Sequence, residues 1–480
     1  MKRVLGTGLR VLVAGIAAGL PPACATYRPA PLPPAHEVAE RGMPDLERLE
    51  VEAAELKHPI LKPVTLDLSD GLSPDEAAVL AVLANPDLAA VRDAHGEAAA
   101  QLLGAGLLPN PDLSAEVDRP HGTGSQGTVN AYNVGLGVDI GSLIGRAARV
   151  AAASAQLQAV DLGIAWQEWQ VAQAARLTTA RVAMLERRLG LIRSELKFEN
   201  ETVTVLQRAL DEGDATVQDL GIHRSALESL RQLEGDLVRA ETETRSRLFR
   251  LLGLPPGAQV KVTPLQADPS FPALPDPSKL VERAVKTRLD LRALELGYRS
   301  QEARVRQAVL AQFPSLSIGV TAQRNETALK FLGGFVTLGL PIFNRNQGAI
   351  ALERATRTRL KHEYEARIAT VRTDVDRLAA DDALLDRQIL VARRGIFSLS
   401  HVEAAERNGV LSGDVGRLAW QDVRSTLLDM RLKLATLNQA RIETRVALQT
   451  AVGSSLAGHP GATAPPASLH EAVSGGTGSN

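Results

Sequence analysis

Two periods of hydrophobicity divide the chain. In Ser315-Leu-Ser-Ile-Gly-Val-Thr321, Leu316, Ile318 and Val320 share one side, and Ser315, Ser317, Gly319 and Thr321 the other. That is the period of a strand with two unlike faces. Val336, Leu338 and Leu340 alternate with Thr337 and Gly339 in the same way. Strands are predicted over Leu113–Asp118, Ala131–Ile140, Ser315–Arg324 and Phe331–Leu340. A second, helical period appears later. Val371, Leu378 and Leu385 recur every seven residues beside Ile368, Val375 and Ile389, and Trp420, Leu427 and Leu434 pair with Val423, Met430 and Leu437. Long packed helices use such heptads. Asp382 interrupts the first stripe and reads as a register or solvated position.

Proline marks the same division. None of the 26 prolines falls between Pro120 and Pro255, or between Pro341 and Pro460. Helix interiors exclude proline, so both gaps read as long helices. Each gap is broken once by glycine, at Asp211-Glu-Gly213-Asp and at Arg407-Asn-Gly409-Val-Leu-Ser-Gly413-Asp. Gly213 and Gly409 are therefore expected as helix C-caps at the tips of two antiparallel hairpins. A helix from Gly145 to Glu212 would run on the order of 100 Å at about 1.5 Å per residue.

The chain says everything twice. Asn85-Pro-Asp-Leu-Ala-Ala is echoed by Arg288-Leu-Asp-Leu-Arg-Ala, and Asn133-Val-Gly-Leu-Gly-Val-Asp139 by Phe335-Val-Thr-Leu-Gly-Leu-Pro341. The spacing of roughly 200 residues reads as an internal duplication. The organisation that follows is a secretory segment at 1–24, an extended proline-rich stretch at 25–72, a first repeat at 73–256, a linker at 257–277, a second repeat at 278–453 and a disordered tail at 454–480. Each repeat runs helix, strand, strand, long helix, tip, returning helix. Apolar residues out and small or polar residues in is the pattern of a transmembrane barrel, and a half-buried soluble sheet shares its period. Four strands close no barrel, since the smallest have about eight. If they span a membrane, several copies must share one. Phe313, Phe331, Phe335, Phe343 and Tyr132 stand in or beside the strands, where interfacial aromatics or packing would put them.

Charge and chemistry narrow the function. The net charge of -1 gives no basic surface for nucleic acid. Lys2, Arg3 and the apolar run Val11–Leu20 read as a secretory signal. Cys24, the single cysteine, is either a lipidated first residue or part of a discarded Ala-Cys-Ala cleavage site. No H-E-x-x-H, G-x-S-x-G or Walker loop occurs, and Gly135, Gly137 and Gly141 are spaced one residue too long for a dinucleotide loop. The nine histidines show no ligand spacing and the four methionines no cluster. No enzyme, cofactor or dedicated metal site is expected.

The words L-P-I-F-N-R-N-Q-G-A-I at 340–350 resemble the strand-to-helix elbow of the TolC family of outer-membrane efflux proteins, above all its CzcC/CusC-like heavy-metal branch. The resemblance covers about residues 73–453. It implies a mainly α fold with a small β part: four strands per protomer in a trimeric 12-stranded transmembrane β-barrel, continued by a periplasmic α-helical barrel. It implies a homotrimer in outer-membrane lipid that docks a periplasmic adaptor and, through it, an inner-membrane RND-type pump. Pro341, Asn344 and Gly348 would form the elbow, and Gly213 and Gly409 the adaptor-docking tips. Leu411 and Asp414 would form the periplasmic gate, and Cys24 the lipid anchor. Cargo would be heavy-metal cations passing without bond chemistry. Drug or type I secretion channels use similar words, and a periplasmic coiled-coil adaptor or scaffold shares the hairpins.

Overall fold

The computed structural model describes residues 26–40, 42–265, 271–412 and 417–456. The secretory segment, Cys24, Gly413, Asp414 and the tail beyond residue 456 lie outside the described residues. The chain divides into two units. Residues 1–42 form one, whose described part carries the short helix Ala35–Ala39, and the body begins at Met43.

The body's elements occur in two matching series. The first is α1 (Pro74–Ala84), α2 (Pro86–Gly106), β1 (Asp112–Asp118), β2 (Ala131–Asp139), α3 (Arg146–Glu212) and α4 (Val217–Leu251). The second is α5 (Pro277–Thr287), α6 (Leu289–Leu310), β3 (Leu316–Arg324), β4 (Lys330–Leu338), α7 (Gln347–Ser412) and α8 (Arg417–Val452). With 67 and 66 residues, α3 and α7 each run on the order of 100 Å. No helix among the described residues is long and apolar enough to cross a membrane.

The neck of each repeat is built from its own sequence. Pro86 forces Asn85 out of the helical region, so α1 ends there and α2 begins. The Asn85 Oδ1 accepts from the backbone N–H groups of Asp87 and Leu88, and its Nδ2 donates to the Leu251 carbonyl at 2.9 Å. In the second repeat Arg288 does this work with charge. Its Nη1 donates to the Ala451 carbonyl at 2.8 Å, while Nε and Nη2 grip both oxygens of Asp290 at 2.9 and 2.7 Å. Arg367 reaches Asp290 from α7 at 3.0 Å. The Arg288 guanidinium also lies 4.6 Å above the Trp166 ring of α3, which joins the two repeats. Gly253 and Gly453 follow the returning helices with φ of +63° and +68°. A Cβ on Gly253 would sit 2.3 Å from the Ala84 carbonyl oxygen, so only glycine fits.

Two sequence expectations change here. The stretch before α1 is not simply extended: it carries the helix Leu46–Ala54 and buries Leu49, Ala53, Leu61 and Leu66. His58 pins it. The Nδ1 accepts from the N–H groups of Ile60 and Leu61, leaving Nε2 to donate to the Ala165 carbonyl at 3.1 Å. Asp382 is not solvated. It is 4% exposed, accepts from Arg445 at 2.6 and 2.7 Å, and lies 3.3 Å from Nε of Arg441. Its partners stand on α8, some sixty residues away, where heptad spacing gives no hint of them. Val371, Val375, Leu378 and Ile389 fill the buried stripe around it, as the heptads predict.

Two outcomes are expected. Asp382→Ala leaves Arg445 buried without its carboxylate partner, while Arg441 keeps Asp386 at 2.5 Å, and should cost about 3–5 kcal/mol in urea unfolding of the purified protein. Burial holds the His58 pKa below its ordinary value, outweighing the carbonyl and Glu168. Folding therefore favours the neutral ring, and its contribution is complete above about pH 6.5 and lost as pH falls below it. His58→Gln should flatten that part of the stability–pH curve.

Candidate functional site: the sheet faces, the elbow and the tips

The four strands form one antiparallel sheet in the order β1-β2-β3-β4. Register decides what each face carries. Leu113 pairs with Leu136, Leu136 with Val320, Val138 with Ile318, Ile318 with Val336 and Leu316 with Leu338. One face is therefore apolar across all four strands. It is also bare, with Leu113, Leu136, Val320, Val336 and Leu338 all exposed. At one end this face finishes in Tyr132, Arg324 and Lys330, with the Arg324 guanidinium 5.2 Å from the Tyr132 ring. An amphipathic aromatic and cations beside an apolar band suit the edge of a bilayer.

The opposite face carries Asp112, Ser114, Glu116 and Asp118 of β1, Asn133 and Asp139 of β2, and Ser317, Thr321, Gln323 and Thr337 of β3 and β4. Among the described strand residues this face has carboxylates and no lysine, arginine or histidine. Gly135 and Gly137 are strand positions on it, not parts of a phosphate loop. Phe331 and Phe335 lie here too, on the face opposite Tyr132. Parity is the reason: both are an even number of residues from Gly333 and Thr337. The Phe335 ring lies over Gly319 and reaches Gly137. A Cβ on Gly319 would meet it at 2.4 Å, and one on Gly137 at 2.9 Å.

The elbow follows β4 and takes the eight residues 339–346. Gly339 N–H donates to the Ser315 carbonyl, tying the chain to β3. Pro341 brings no donor, and the Ile342 N–H bonds back to Leu340 at 2.9 Å. The Asn344 Oδ1 accepts from the Asn346 N–H at 2.9 Å. Asn346, at φ +59°, donates through Nδ2 to the Ala308 carbonyl, and its own carbonyl receives the Ile350 N–H. Gly348 sits in the first turn of α7, and a Cβ there would meet nothing within 4 Å.

At the first tip Gly213 has φ +86°. Its N–H bonds to the Leu210 carbonyl and that of Asp214 to the Ala209 carbonyl, a Schellman end. Thr216 and Asp219 then form a reciprocal capping box, and the Thr216 hydroxyl holds the Asp219 carboxyl below its usual range. The second tip differs from expectation. Helix α7 runs through Gly409 to Ser412, and Gly409 has no left-handed φ. Gly409 is therefore not a helix C-cap, and Gly413 lies outside the described residues. Leu411 stands in the last turn of α7 and is 80% exposed.

Sequence reading missed the side chains that lock the repeats together near the tips. Trp420 meets Phe198 edge-on at 5.3 Å, and Arg424 stacks 3.7 Å from Phe198 while pairing with Glu195 at 3.1 Å. Buried His223 of α4 bonds Glu199 of α3 at 2.6 Å. The α3–α8 partners are more than two hundred residues apart, and no local pattern connects them. Among the described residues no group of His, Cys, Asp or Glu is arranged to hold a metal ion.

This architecture is that of the outer-membrane channels. The chain superimposes on a crystal structure of CusC with a TM-score of 0.64 at 20% identity, covering 84% of this chain and 99% of that one. On the outer-membrane channel OprN the TM-score is 0.68 at 14% identity, covering 88% and 99%. On the open state of MtrE from Neisseria gonorrhoeae it is 0.66 at 17% identity, covering 84% and 96%. In sequence, the family Outer membrane efflux protein matches residues 280–454, the second repeat. The chain is 25% identical over 280 residues to the cation efflux system protein CusC of Escherichia coli K12, 55% of this chain and 60% of that protein. The chain thus spans about three fifths of the length of the curated relatives it matches.

The glycines separate steric need from habit. Gly319→Ala drives a methyl into the Phe335 ring and the Leu136 carbonyl, and should cost about 3 kcal/mol or more in unfolding experiments. Gly348→Ala, in an open helical turn, should stabilise the single chain by roughly 0.5–1 kcal/mol.

Proposed function

We propose that the protein is the outer-membrane conduit of a tripartite efflux system, conducting cargo passively from the periplasm to the exterior. The observation that carries this reading is the sheet: one bare apolar face, one face of carboxylates and small polar residues, and an unpaired edge at β1 and at β4. An unpaired edge is not tolerated in lipid. Three copies meeting edge to edge supply twelve strands, with the apolar faces outward and the carboxylate faces around a channel. The long helices then extend the conduit into the periplasm. The elbow of Pro341, Asn344 and Gly348 turns strand into helix at the membrane's inner boundary, and Cys24 would supply a lipid anchor. The tips, at Gly213 and after Ser412, dock a periplasmic adaptor that connects to an RND-type inner-membrane pump. Leu411 and Asp414 narrow the closed end. The likeness to a cation efflux protein and the acidic channel face support cations, heavy-metal ions among them, as cargo.

Purified full-length protein should sediment as a detergent-extracted trimer from outer membranes and conduct in planar bilayers with cation preference. Asp414→Ala should raise conductance or reduce that preference. A soluble monomer that yields no current would sink the reading, and unchanged conductance and selectivity would remove Asp414 from the gate.

A further inference from the structure

The polar sheet face carries one feature that conduction of hydrated metal ions does not require. Phe335, Gly319, Gly137 and Asp112 form a single row across the four strands, each paired with the next. The two glycines make a trough, and the phenyl ring fills it. The ring covers Gly319, with Cε1 and Cζ both 2.4 Å from where a Cβ would stand. Its Cζ extends to Gly137, the register partner of Asp112. Adjacent strands are about 4.8 Å apart, so the far end of the ring ends one strand from the Asp112 position. A side chain at either glycine would push the ring up. Without one, Phe335 lies along the wall over the two glycines and is half-exposed.

We propose that this row is a resting site for organic cations of the quaternary or aromatic ammonium kind. The site rests on the conduit reading, since that reading makes this face the channel wall. The chemistry divides between two groups. The ring face attracts a weakly hydrated cation through its quadrupole, as quaternary ammonium groups are recognised elsewhere. Asp112 supplies the counter-charge beside it, and the described strand residues of this face bring no competing cation. A small, tightly hydrated metal ion gains little from the ring. The row therefore widens the cargo class beyond metal ions to bulky organic cations. Binding here is weak enough to release cargo, as conduction requires.

The test is block of single-channel current in planar bilayers by tetraethylammonium, with potassium as the permeant ion. Full-length wild-type protein should show concentration-dependent block. Phe335→Leu keeps an apolar filler over the two glycines but removes the π-face, and should weaken block about 2- to 5-fold. Phe335→Trp should retain or strengthen it, and Asp112→Asn should weaken it. Trimer recovery and thermal unfolding of each variant check that the sheet is intact. Equal block in wild type and Phe335→Leu, or no block in wild type, overturns the resting site while leaving the conduit standing. Absence of any current overturns both.

Discussion

Every other feature follows from an incomplete hydrogen-bond ladder. A sheet of four strands has two outer edges, and each presents a row of backbone donors and acceptors. Water can satisfy such edges, but lipid cannot. The apolar face beside them is bare over its whole width, so water is a poor neighbour for the sheet as well. The proposed channel meets both requirements: β1 of one copy pairs with β4 of the next, and the apolar face finds lipid. The polar face is then committed to the inside. The helices inherit this arrangement, because each long helix leaves a strand at a fixed elbow.

The duplication solves the necks by two different means. Asn85 joins the first kink to the end of α4 with a neutral amide. Arg288 joins the second to the end of α8 with a guanidinium that needs Asp290, Arg367 and the Trp166 ring around it. The ionic version reaches further, into α7 and α3, and makes the second repeat's neck the place where the halves meet. Buried charge of this kind is retained only with complete partners. That explains why four groups gather where one amide suffices in the first repeat. The seam continues toward the tips through Phe198, Trp420 and Arg424.

Period and punctuation made most of this architecture legible. Alternation located the four strands to within two residues, and proline gaps located the long helices. Gly409 was misread as a helix C-cap because a glycine in a charged stretch reads the same inside a helix as after one. The aromatic residues were grouped by type when parity separated them: Phe331 and Phe335 keep step with Gly333 and Thr337, while Tyr132 keeps step with Val134 and Leu136. The ion pairs of Asp382, the pinning of residues 45–72 by His58 and the Trp420 contact were not legible at all. Each joins positions far apart in the chain, and one sequence carries no signal of such pairings.

The pairing of β2 with β3 constrains the order of assembly. Each hairpin joins neighbouring stretches and forms cheaply. The central ladder must bring residues 131–139 to residues 316–324, and that closure is entropically expensive until α3 and α4 have folded back upon themselves. A nascent chain holding only the first repeat owns one isolated hairpin, which is marginal in water and too narrow for a membrane. On the channel reading, insertion is thereby deferred until the second repeat has been delivered, and a truncated product would stay out of the bilayer rather than lodge in it half-built.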